Sequence, residues 1–119
     1  MKKLNRVGFF NELRHGDPDG PSLTTGQDNL PEDILERVCR YLESGHLFIG
    51  CPALVKDVLN DTGPFIGAPN ILTDGEWAWP ADLVHYVNVY RVALPSAFLD
   101  HMIISNWQVP AVGLEQISL

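Results

Sequence analysis

Four histidines (His15, His46, His85 and His101) and fifteen Asp and Glu residues are the side chains with the types for proton or metal chemistry. A histidine oriented by a carboxylate can act as a general base, and further ligands would turn such a pair into a metal site. Asp82 and His85 have the best spacing, three residues apart on one helical face with Glu76 upstream. A solvated polar face is the favoured explanation of that spacing. His15 stands near Asp17 and Asp19, which could bind a cation, but Asp17-Pro18-Asp19-Gly20-Pro21 is also what a turn requires. Cys51 precedes Pro52 at an expected helix start, where the helix dipole lowers a thiol pKa, yet no base adjoins it. The chain holds no HExxH, CxxC, P-loop, GxGxxG or GxSxG pattern. The sequence is therefore read as non-enzymatic, with no catalytic residue, no metal and no cofactor.

A second constellation suits binding better than catalysis. Asp74, Glu76, Trp77, Trp79 and Asp82 lie within nine residues of one another. Tryptophan is enriched at the centres of protein interfaces, and carboxylates around it steer a cationic partner by long-range attraction. At least one of the two tryptophans is expected to plug the core, with the carboxylates facing outward. The expected contact residues are Asp17, Asp19, Asp74, Glu76, Trp77, Asp82 and His85, drawn from the Asp17–Asp28 loop and the Asp74–Asp82 region. Eight Lys and Arg against fifteen acids give a net charge of -7. That balance argues against direct nucleic-acid binding, which needs a basic footprint. The acidic excess is concentrated in residues 61–119, which hold six acids and only Arg91 as a base.

The elements that must position these residues follow from hydrophobic spacing and turn chemistry. A first helix is expected over Leu4–Arg14, with Phe9, Phe10 and Leu13 on one face and Gly16 closing it in a left-handed conformation. Asp17–Pro21 then turns, and Ser22–Asn29 continues the loop. Pro31–Ser44 is a helix with Ile34, Leu35, Val38, Cys39 and Leu42 on its apolar stripe, ended by Gly45. His46–Gly50 is read as a strand, and Pro52–Asn60 as a short helix with Leu54, Val55, Val58 and Leu59 inward. Ile71–Thr73 and Glu76–Trp79, joined by Asp74-Gly75, form a hairpin that places Trp77 and Trp79 on one face. Ala81–Tyr90 reads as a helix, with a strand as the alternative because it is rich in valine and tyrosine. Pro95 and Ser96 begin a last helix to about Asn106, and Trp107–Leu119 forms an irregular or weakly extended tail.

With 119 residues, 45% of them hydrophobic, the chain can build one core. The expected architecture is α+β: a helix-dominated single domain, 1–119, with a small antiparallel β-sheet made by the 71–79 hairpin and the 46–49 strand. Cys39 and Cys51 are expected as free thiols, because a chain of this size needs no disulfide. No stretch has the length or flanks of a targeting or membrane segment, so a cytoplasmic protein without membrane contact is expected.

Two segments carry a resemblance. Phe9-Phe10-Asn11-Glu12-Leu13-Arg14-His15-Gly16-Asp17-Pro18-Asp19-Gly20-Pro21-Ser22-Leu23 and the run Leu72–Val87, with its Thr73-Asp74-Gly75-Glu76-Trp77-Ala78-Trp79-Pro80 core, resemble small bacterial immunity proteins of polymorphic or contact-dependent growth inhibition toxin systems. The resemblance implies a cytoplasmic, non-enzymatic protein that binds a cognate toxin domain, often a nuclease, and blocks its active or substrate-binding surface. An acidic surface fits a basic nuclease domain by mimicking phosphate. The alternatives are an adaptor or assembly subunit with no toxin partner, and a small enzyme built on a histidine–carboxylate pair such as His85 with Asp82 or Glu76.

Overall fold

The computed structural model describes residues 2–60 and 62–119. In chain order its elements are β1 (Lys2–Lys3), β2 (Asn5–Arg6), α1 (Leu23–Gly26), α2 (Leu35–Glu43), β3 (His46–Ile49), β4 (Val55–Lys56), β5 (Phe65–Gly67), β6 (Ile71–Thr73), β7 (Trp77–Pro80), α3 (Leu83–Tyr90), α4 (Ser96–Ile104) and β8 (Ile117–Ser118), with 3-10 turns at Glu32–Ile34 and Leu114–Gln116. Helices take 31% of the chain and strands 19%, so both classes shape the molecule.

The central sheet has the order β2-β7-β6-β3. The expected hairpin is present, with Thr73 opposite Ala78 and Leu72 opposite Trp79, and β3 joins it antiparallel through Leu47 and Leu72. The sheet is nevertheless mixed, because β2 runs parallel to β7. β1 pairs in parallel with β8, which gives the otherwise irregular tail a strand. The Leu4 amide donates to the Ser118 carbonyl and the Asn5 amide to that of Glu76, so the chain start threads between β8 and β7.

Successive side chains of a strand point to opposite faces, and β7 uses this to serve two cores. Trp79 enters the main cluster with Val38, Tyr41, Leu42, Leu83, Tyr86, Phe98 and Met102 from the helices. Ala78 points the other way, onto Leu4 and Ile117, where Phe48, Ile71 and Val112 also pack. Helices therefore cover one face of the sheet, and the C-terminal segment covers the other.

Two expected helices are absent. Residues 4–14 run extended and then turn, because Gly8 stands at φ +83°, outside the right-handed helical region, and a Cβ there would meet Leu83 Cδ2 at 2.8 Å. Phe9, Phe10 and Leu13 are all buried, as expected, but turns rather than a helix place them. Gly16 keeps an ordinary φ and closes no helix. Residues 52–60 also form no helix: β4 pairs with β5, and the Asp57 side chain accepts the Leu59 amide at 2.7 Å in a turn. Leu54 and Val58 are consequently exposed, at 61% and 41%, instead of inward.

α1 stands inside the expected Ser22–Asn29 loop, because Glu12 accepts the Leu23 amide and the Ser22 hydroxyl that of Thr24; α2, α3 and α4 form near their expected limits. A 3-10 turn precedes α2, which stops at Gly45, where a Cβ would press on Trp79 Cζ2 at 2.6 Å. α3 forms as a helix, which sets aside the strand alternative. α4 ends in two left-handed residues, Asn106 and Trp107, as the Trp107 amide reaches back to the Met102 carbonyl at 2.8 Å. Cys39 and Cys51 are free thiols, and burial together with the nearby Glu43 charge pushes the Cys39 pKa up.

Candidate functional site

Among the described residues the buried acids are Asp57, Asp74 and Asp82, and each faces a histidine. His15 Nε2 donates to Asp82 Oδ1 at 3.1 Å. His85 Nε2 donates to Asp57 Oδ2 at 2.7 Å, and the Tyr90 hydroxyl donates to the same oxygen at 2.7 Å. His101 Nε2 lies 3.2 Å from Asp74 Oδ2 without hydrogen-bond alignment, and that oxygen accepts the Tyr41 hydroxyl at 2.5 Å. His46 is the exception, since its Nε2 donates to the Pro110 carbonyl at 2.7 Å.

These carboxylates do different things. Asp74 Oδ1 accepts the amides of Glu76 and Trp77, at 2.9 and 2.7 Å, and so holds the β6–β7 turn. Its second oxygen ties that turn to α2 through Tyr41, whose pKa is pushed well up by burial and by the Asp74 charge. Asp57 joins the 57–60 turn to α3. Burial works to raise its pKa, but the hydrogen bonds from His85, Tyr90 and the Leu59 amide outweigh it and hold the carboxyl below its ordinary range. Tyr90 is pushed up by the same bond. Asp82 begins α3 yet makes no side-chain capping bond to the helix, and its Oδ2 and His15 Nδ1 have no hydrogen-bond partner. Asp82, His15 and Asp57 line one groove of about 600 Å³, with Leu13, Arg14, Leu54, Val55, Lys56 and Val58.

The structure disperses the expected contact residues. Asp74 and Asp82 are buried, not outward, because each completes a hydrogen-bonded junction between elements. His85 is held by Asp57, and Asp82 by His15, so the i, i+3 pair does not act as a unit. Asp17 is bound by the Arg6 guanidinium through two bonds, at 2.8 and 3.2 Å, and Glu76 is paired with Lys2. Asp19 is exposed. Trp77 and Trp79 share a face as expected, both against Phe98 at 4.8 and 5.5 Å between centroids. Trp79 is fully buried and donates its indole N–H to the Leu42 carbonyl at 3.1 Å, whereas Trp77 is half-buried.

Sequence reasoning missed the edge of the sheet. β3 pairs on one side only, with β6, and presents Leu47 and Ile49 at 55% and 44% exposure. The signal was in the composition of His46-Leu47-Phe48-Ile49, which has neither the charged residue nor the proline that usually guards an edge strand. It also missed Asp57, whose partners come from 28 and 33 residues away.

No three His, Cys, Asp or Glu side chains among the described residues cluster in a way that could hold a metal ion. No helix among them is long and apolar enough to cross a membrane. No family model, no curated protein and no solved structure matches this chain.

Proposed function

We propose that this protein is a stoichiometric inhibitor of the immunity type, which binds a basic toxin domain in the cytoplasm and blocks its active or substrate-binding surface. The observation that carries the reading is the open edge strand β3, with apolar Leu47 and Ile49 exposed and no guarding charge. An open edge is a template on which a partner strand can pair by main-chain hydrogen bonds, with side-chain contacts selecting the partner. The charge distribution favours a cationic partner. Lys2, Arg6, Arg40 and Arg91 are engaged by carboxylates within the chain, while Asp19, Asp33, Glu43, Asp100 and Glu115 are exposed. The resemblance of residues 9–23 and 72–87 to immunity proteins adds the class of partner.

Co-purification from the native cells at low and high salt tests this reading. A basic toxin domain should be recovered at one to one and lost as salt rises, because exposed charges are screened beyond about 8–10 Å at 0.10–0.15 M salt. Recovery of a non-toxin partner, with the same stoichiometry at every salt concentration, would replace the inhibitor by an adaptor or assembly subunit.

A further inference from the structure

The groove beside α3 holds a buried acid of which the fold uses only one oxygen. An aspartate at the start of a helix ordinarily accepts a backbone amide of the first turn. Asp82 makes no such bond, and its side chain, 1% exposed, is instead turned to His15. With His15 Nε2 donating to Oδ1, the imidazole Nδ1 is an acceptor in the neutral ring. Asp82 Oδ2 and His15 Nδ1 are thus two acceptors without a donor, and an unsatisfied buried polar group is costly. Asp57, on the same groove, is already saturated by His85, Tyr90 and the Leu59 amide.

We propose that this groove binds an alkylammonium zwitterion, with the ammonium on Asp82 and an anionic group at the mouth. An ammonium offers three donors and a positive charge, which answers the unpartnered Asp82 oxygen and the carboxylate charge in one group. Leu13, Leu54, Val55 and Val58 supply apolar walls for a methylene stem, and Leu54 stands exposed at 61%. Arg14 and Lys56 also line the groove, with the Lys56 ammonium 5.1 Å from the Phe65 ring centroid. They repel a bare cation and attract a carboxylate, so the ligand carries both charges at opposite ends. The volume, about 600 Å³, accommodates a chain of five or so methylenes. Asp82 Oδ2 is closed to solvent, so ligand entry requires a local opening beside its His15 partner, 19% exposed.

Calorimetric titration of the full chain with 6-aminohexanoate, hexylamine and hexanoate tests the assignment. The zwitterion should bind most tightly and hexanoate at least tenfold more weakly. Asp82→Asn should weaken the zwitterion at least tenfold, and Leu54→Arg, on an exposed wall where folding is not at stake, should block it. A peptide ending in lysine distinguishes the two sources of this chemistry: its binding assigns a protein C terminus, and its exclusion a free ω-amino acid. Absence of saturable binding by all these probes overturns the assignment, as does unchanged affinity in Leu54→Arg. Toxin capture does not enter this readout, so the site and the inhibitor reading stand or fall separately.

Discussion

At the scale of single residues, the buried carboxylates act as joints. Asp57 receives His85, Tyr90 and the Leu59 amide, so Asp57→Ala leaves three donors without their acceptor and should cost about 2–3 kcal/mol in a denaturant titration. Its pKa is lowered in the folded state from the ordinary 3.8, so the unfolded chain takes up a proton first as the solution is acidified. The stabilisation is therefore complete above the ordinary value and is lost as pH falls through the lowered one. Melting curves between pH 5 and 2 should show an acid-dependent loss in the wild type that is smaller in Asp57→Asn; parallel curves would contradict the role. Little of this was legible in the sequence. Asp82 and His85 look paired because they are three residues apart, yet each takes its partner from a distant segment, His15 for Asp82 and Asp57 for His85. Local spacing places two side chains on one face but carries no information on which loop packs over that face.

At the scale of elements, legibility followed the strength of local chemistry. The Asp74-Gly75 hairpin and α2, α3 and α4 formed where turn residues, prolines and apolar stripes agreed. The helices expected over 4–14 and 52–60 failed because apolar spacing there was met by turns, and because Gly8 and the Asp57 side chain impose conformations a helix does not share. Parallel pairing of β1 with β8 joins the two ends of the chain and leaves no local trace. Gly45 shows how closely the elements approach. Gly45→Ala sets a methyl 2.6 Å from the Trp79 ring and 2.9 Å from Leu72 Cβ, and should destabilise the fold by about 1–3 kcal/mol through overpacking. Trp79→Ala removes the side chain that joins β7 to all three long helices and should cost about 3–5 kcal/mol. Thermal or urea denaturation of the two variants checks both figures, and a wild-type midpoint for either would refute the packing described for that junction.

At the scale of the whole molecule, an acidic surface meets an open sheet edge. In the proposed inhibitor, charge brings a cationic partner near and the strand fixes its register, so the two features should separate experimentally. Salt should slow association, whereas changes on β3 should speed dissociation. The net charge of -7 was plain from composition, but the edge was not, since strand order emerges only when β6 is seen between β7 and β3. The most direct measurement compares capture of the proposed toxin domain by the wild type and by Leu47→Lys/Ile49→Lys, both side chains being exposed so that the fold is kept. The expected result is at least a tenfold loss of affinity for the double variant at unchanged circular dichroism and melting temperature. Equal capture by the folded double variant would show that β3 is not where the partner docks.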